Sequence, residues 1–187
     1  TAALTSPKCA MPGTRNWRAR QAKVPQHRET RRMPYTAEQM FDLVADIGRY
    51  PEFLPWIIAM RIRTPHPGHL WEGTHPAPVD PAAHQIVTAD MVVGFKAIRE
   101  HFTSRVTLDR ARHVHVDYLD GPLKYLHNDW HFRDVPGGCE IDFAVEFEFK
   151  TKMFEKIAGM FFGDALRKMV ASFEARAAAI YPQVVAG

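Results

Sequence analysis

Late in the chain, Ile141, Phe143, Val145, Phe147 and Phe149 alternate with Asp142, Glu146 and Glu148. A period of two puts the apolar set on one face of a strand and the acids on the other. Immediately afterwards, Thr151 stands where a helix cap is needed. Phe154, Ala158, Phe161, Phe162, Ala165, Leu166, Met169, Val170, Phe173 and Ala177 then recur at helical spacing as far as about Ile180. A helix of about 29 residues is roughly 43 Å long, enough to cross a whole sheet. A strand with one greasy face, joined directly to a helix with a broad greasy band, satisfies both by laying one over the other. The space between them is then either packed or hollow.

The preceding residues supply the rest of such a sheet. From His84 onward the period is two. Ala89, Met91, Val93 and Phe95 share a face, as do Ile98, Phe102, Val106 and Leu108, then Val114, Val116 and Tyr118, then Trp130 and Phe132. Asp120-Gly121-Pro122 and Pro136-Gly137-Gly138 mark turns between them. Upstream, His27 to Met33 reads as a first strand stopped by Pro34. Thr36-Ala37-Glu38-Gln39 is a capping box opening a short helix, and Gly48 is placed to end it. Ile57 to Thr64 reads as a further strand with Ile58, Met60 and Ile62 on one face. The run "PHPGHLWEGTHPAPVDPA" is too rich in turn formers to be anything but a long loop. Gly159 and Gly163 would permit close approach or a bend in the final helix.

Between the short helix and the strand at 57 lies "YPEFLPWIIAMRI". Pro51 and Pro55 fix the backbone there, so Phe53, Leu54 and Trp56 are held on a turn, where side chains usually meet water. They either plug the end of a core or form the rim of a cavity. Trp suits a rim because its ring is apolar while its N–H stays wet.

Composition narrows the chemistry. The 187 residues are 46% apolar and 11% aromatic, with 12 Phe and 8 Met, values for one globular domain with soft, adaptable interior side chains. The net charge of +3 is concentrated upstream, where Lys8, Arg15, Arg18, Arg20, Lys23, Arg28, Arg31 and Arg32 face only Glu29. Such an arm is a solvated tail or a contact for anionic lipid or RNA. Two cysteines, Cys9 and Cys139, make a poor disulfide framework and point to a reducing compartment. No run of apolar residues is long enough to span a bilayer. The expectation is a soluble cytoplasmic protein, with a membrane surface, the inner membrane included, as a transient partner.

The dinucleotide, P-loop and G-x-S-x-G patterns are absent. Glu146 and Glu148 read as a solvated stripe, not a buried acid/base pair. Of the 10 histidines, His66, His69, His75 and His84 fall in the loop. His113 with His115, and His127 with His131, share strand faces, but no cysteine or carboxylate pattern completes a zinc set. Neither a metal site nor a catalytic residue is expected. No strand interleaves aromatic and basic residues as an RNA-reading sheet would, and DNA binding is not expected.

"YTAEQMFDLVADIGRYPEFLPW", "ADMVVGFKAIREHFTSRVTLD", "GPLKYLHNDWHF" and "CEIDFAVEFEFK", followed by the FF, ALRKMVASFEARA helix, resemble the coenzyme Q-binding protein branch of the START-like superfamily. Its relatives include polyketide cyclase-like and RatA-type proteins. The likeness runs over roughly residues 27–182, and the stretch 65–84 is longer than the family's connection there. It implies an α+β, helix-grip fold, a curved antiparallel sheet of about six to seven strands wrapped around a long C-terminal helix. The domain would span 26–182, with 1–25 a disordered basic extension and 183–187 a tail. It also implies ubiquinone, or a similar isoprenoid lipid, bound under that helix in support of respiration, with no chemistry on it. An aromatase/cyclase-like enzyme and a ribosome-interacting protein are the alternatives. The residues nominated for the pocket or its mouth are Phe53, Leu54, Pro55, Trp56, Met91, Val93, Phe95, Phe102, Val116, Tyr118, Tyr125, Trp130, Phe143, Phe147, Phe161, Phe162 and Met169. Tyr118, Tyr125, Asn128 and Trp130 are the candidates for holding a polar head group.

Overall fold

A computed structural model describes residues 25–63, 85–95 and 98–184. Residues 1–24, with most of the basic arm, and the whole proline-rich loop lie outside this set. Strand β1 (Gln26–Met33) leads into helix α1 (Ala37–Ala45), a 3-10 turn (Ile47–Arg49) and the one-turn helix α2 (Tyr50–Phe53). Strands β2 (Ile57–Ile62), β3 (Gln85–Phe95), β4 (Ile98–Asp109), β5 (His113–Asp120), β6 (Leu123–Val135) and β7 (Gly138–Phe149) follow, and helix α3 (Lys152–Ile180) closes the chain. The seven strands form one antiparallel sheet in the order β1-β7-β6-β5-β4-β3-β2. The first strand therefore pairs with the last, and β2 forms the opposite edge.

Local chemistry sets these boundaries. At α1 the Thr36 hydroxyl accepts from the Gln39 amide (3.1 Å), and the Gln39 side chain accepts from the Thr36 amide (2.9 Å), a closed capping box. Gly48 does not end the helix through a left-handed backbone, as its sequence position suggests. The helix stops at Asp46, and Gly48 sits within the 3-10 turn that follows. The β6–β7 turn uses Pro136 and Gly137, the latter at φ +81°, a value that favours glycine. Gly138 follows at φ +151°, and a Cβ there would meet the Met33 carbonyl oxygen at 2.0 Å. Thr151 caps α3 by accepting from the Phe154 amide. Neither Gly159 nor Gly163 is a point of close approach, since a Cβ would meet nothing nearer than 3.9 Å.

The core lies on the concave side, at the end where α1 and the C-terminal half of α3 meet the sheet. Phe41, Val44, Val114, Cys139 and Ala177 are the most buried side chains there. Phe41 meets Phe132 edge-on (5.8 Å), and Phe173 takes the edges of Tyr50 (5.6 Å) and Phe53 (5.2 Å). Arg31 on β1 pairs with Glu174, and Arg176 donates to Glu52 (2.9 Å). These ion pairs tie the same half of α3 to both sides of the fold.

Two strands depart from simple alternation. β2 carries a bulge between Ile57 and Ala59. Ile57 is buried and Ile58 is 45% exposed, so the inward set is Ile57, Met60 and Ile62, with Ile57 in place of the expected Ile58. β6 carries another between Leu123 and Tyr125. Leu123 is buried, yet Tyr125 two residues later points outward, where its hydroxyl donates to Glu146 (2.9 Å).

Candidate functional site

Between the concave sheet and the middle of α3 lies a cavity of about 310 Å³, within the size range of small-molecule sites. Its floor is the inward set of the central strands: Ala89 and Met91 on β3, Phe102, Ser104 and Val106 on β4, Val114, Val116 and Tyr118 on β5. Leu126, Asn128 and Trp130 on β6, with Phe143 and Val145 on β7, complete it. The roof is Phe162, Ala165, Leu166, Met169 and Phe173 of α3. One wall comes from the turn region, with Tyr50, Leu54, Trp56 and Ile57. No Asp, Glu, Lys, Arg, His or Cys is among these lining residues. A smaller space of about 50 Å³ adjoins it behind Trp130, Phe143 and Phe173, and there Glu29, Arg31 and Glu174 reach the concave side.

The alternating pattern explains why the floor is apolar: each strand sends its greasy set to one side. An aromatic wall fixes one end. Trp130 lies 4.3 Å from Phe143 and 5.6 Å from Phe173, ring centre to ring centre.

Three polar groups interrupt the lining. The Tyr118 hydroxyl accepts from the Leu123 amide (2.9 Å), which leaves its own proton to donate. Burial pushes its pKa above the ordinary value, so the proton stays in place. Gly121 keeps this corner open: at φ +135° a Cβ would sit 2.4 Å from the His101 carbonyl oxygen and 3.0 Å from the Tyr118 hydroxyl. The Asn128 amide donates to the Ala144 carbonyl (3.1 Å) and accepts from the Trp130 indole (2.9 Å), so its orientation is fixed from both ends. The Ser104 hydroxyl is the third. Tyr50 instead braces the wall, because its hydroxyl donates to the Val44 carbonyl (2.6 Å), and burial raises its pKa strongly.

Of the nominated residues, Leu54, Trp56, Met91, Phe102, Val116, Tyr118, Trp130, Phe143, Phe162 and Met169 line the cavity. Phe53 lies on the far side of the turn, edge-on to Tyr50 and Phe173 with the Arg176 guanidinium 5.7 Å from its ring centre. Pro55 is exposed, and Leu54 is 4% exposed, so the turn plugs as much as it rims. Phe147 packs edge-on against Phe162 (5.3 Å) and Phe149 (5.5 Å), a support for the roof rather than part of the lining. Val93 and Phe161 are half-buried outside the lining, Tyr125 is on the convex face, and the side chain of Phe95 is outside the described set. Much of the lining was not nominated from sequence, Ile57, Val44 and Ser104 among it. The bulge hides the first, and the other two read as helix core and strand filler.

The convex face departs from the expectation of no metal cluster. His113, His115 and Asp129 converge there, the carboxylate coming from the neighbouring strand and therefore invisible to spacing along the chain. Among the described residues, no helix is long and apolar enough to cross a membrane.

Known proteins share this arrangement. The chain is 33% identical over 159 residues to the ribosome association toxin RatA of Escherichia coli, covering 84% of this chain and 90% of that one. It is 28% identical over 161 residues to the coenzyme Q-binding protein COQ10 homolog B, mitochondrial, of Xenopus laevis, covering 83% of this chain and 59% of that one. The solution structure of the 18 kDa protein CC1736 from Caulobacter crescentus superposes with a TM-score of 0.61 at 35% identity, over 82% of this chain and 95% of that one. The fold is the START-like helix grip. A family model described as polyketide cyclase / dehydrase and lipid transport matches residues 33–174, and the chain belongs to that family.

Proposed function

We propose that this protein binds ubiquinone, or a similar isoprenoid lipid, in the cavity beneath α3 and carries it in support of respiratory electron transfer, without chemistry on the ligand. One observation carries the reading: a cavity of about 310 Å³ whose lining, among the described residues, holds no ionisable side chain except tyrosines. Each methylene that moves into such a space contributes about 0.8 kcal/mol, so two or three isoprene units bind firmly through area alone. Tyr118, Ser104 and Asn128 are the groups able to meet quinone oxygens. The likeness to a coenzyme Q-binding protein supports the choice of ligand. A cyclase or dehydrase would need an acid or base near its substrate, and the tyrosine protons here are held more tightly than usual.

The higher identity to the RatA protein favours a second reading, association with the ribosome. Organic extraction of protein purified from its native host, followed by mass spectrometry, separates the two. Co-purified quinone, together with quenching of Trp130 fluorescence by a short-tailed ubiquinone analogue, is the expected result. Empty protein that neither quenches nor retains the analogue, yet sediments with ribosomes, would overturn the lipid reading.

A further inference from the structure

The central strands send one residue set into the cavity and the other to the convex face. On β5 the outward set is His113, His115 and Asp117; on β6 it is His127, Asp129 and His131. Register places His115 opposite Asp129 and His113 opposite His131. A single oxygen, Asp129 Oδ1, lies 2.8 Å from His113 Nε2 and 2.7 Å from His115 Nδ1. All three candidate ligand atoms fall within 4.8 Å of one another. Their side chains are 31%, 29% and 33% exposed, open enough for an ion to enter without unfolding.

Two neighbours hold the imidazoles in position. His115 presents its second nitrogen, Nε2, to Asp117 at 3.1 Å. Metal-bound imidazoles are commonly oriented in this way, by a carboxylate on the nitrogen that does not bind the ion. His131 stacks on His113 with ring centres 4.2 Å apart and planes 2° from parallel. Both rings are thus fixed in plane, and one of them has the outer-shell partner a metal ligand needs.

We propose that His113, His115 and Asp129 form a site for a divalent transition ion of the Zn²⁺ class. Two imidazole nitrogens and one carboxylate oxygen, with water as a fourth ligand, match the tetrahedral preference of that ion. Nitrogen donors select it over Mg²⁺ or Ca²⁺, which favour all-oxygen sets. Ligand atoms about 2.0–2.2 Å from a tetrahedral ion stand roughly 3.3 Å apart, so Asp129 Oδ1 must draw back from each nitrogen by about half an ångström. The ion takes the place of the protons that now join the two nitrogens to Asp129. It would clamp β5 to β6 directly behind Val114, Val116, Asn128 and Trp130, which form the cavity floor on the other face.

The test titrates the full chain with Zn²⁺ by calorimetry, and with Co²⁺ while recording the visible spectrum. Wild-type protein is expected to bind an ion at this site and to melt at a higher temperature with it. His115→Gln and Asp129→Asn should each weaken binding at least tenfold. Asp117→Asn leaves all three ligands in place and should weaken it about tenfold, the usual effect of losing an outer-shell partner. Replacing His66, His69, His75 and His84 together with alanine should leave the affinity unchanged. Circular dichroism without metal confirms that each variant is folded. Absence of binding by the wild type at millimolar ion, or unchanged affinity in folded His115→Gln and Asp129→Asn, overturns the proposal.

Discussion

The two halves of α3 differ sharply although one apolar band runs through both. In the C-terminal half, Phe173 and Ala177 are 6% and 0% exposed, and Glu174 and Arg176 are paired to β1 and α2. In the N-terminal half, Met153 and Met160 are 64% and 61% exposed, and the inward residues roof a hollow. One half is buried and paired; the other touches the sheet through Phe154 on Phe149 and Phe162 on Phe147, and the hollow begins beside it and runs on under Met169 and Phe173. The helix is therefore held most tightly at its C-terminal end, and a ligand under its middle would gain the contacts that the protein leaves unmade.

Breaking the anchored half should cost most. Phe173→Ala removes a ring packed against Tyr50, Phe53 and Trp130 and should destabilise the protein by about 3–5 kcal/mol in chemical denaturation. Filling the roofed half is the counterpart. Ala165→Trp in a packed interior would cost about 1–3 kcal/mol; over a hollow it should cost under ~1 kcal/mol while abolishing quinone retention. A large loss of stability in that variant would show the interlayer space to be tight.

The ionic clasp sharpens the contrast through pH. The hydrogen bond from Arg31, helped by His27 and opposed by burial, lowers the pKa of Glu29 below its ordinary value. A carboxylate lowered on folding adds stability above its unfolded pKa, and that stability fades as pH falls through the folded one. Glu29 and Arg31 are partly solvated, so the contribution should be under ~1 kcal/mol. Glu29→Gln should lower the neutral stability by that amount, leave the value at low pH nearly unchanged, and so flatten the acid limb of the stability–pH curve. Smallest of all, Met160→Gln on the N-terminal half should shift the melting midpoint by no more than about 0.5 kcal/mol equivalent.

The sequence makes much of this plain. The alternation along β7, the capping box at Thr36 and the extent of α3 are local signals, and each forms where the pattern puts it. Two of the errors fall at bulges. Counting by twos from Leu123 sends Tyr125 inward, and Ile58 shares parity with inward Met60, yet one extra residue in each strand reverses both. A bulge is a property of a pair of strands, so a pattern read along one strand does not contain it. The His113–His115–Asp129 cluster escapes a linear reading for the same reason, since its third member is a neighbour only through register. The hollow itself depends on how far α3 stands off the sheet, a distance that no residue encodes alone.

The pairing of β1 with β7 has a further consequence. Thr30 meets Asp142 across 112 positions of chain, so during translation β1 emerges long before its partner has been made. An unmatched strand invites promiscuous pairing. In β1 the outward positions hold Arg28 and Arg32, and the inward ones His27, Glu29 and Arg31, with Met33 alone fully covered. That charge on both faces keeps a nascent segment in water until the last hairpin arrives, so the sheet is completed late, by residues chosen to wait.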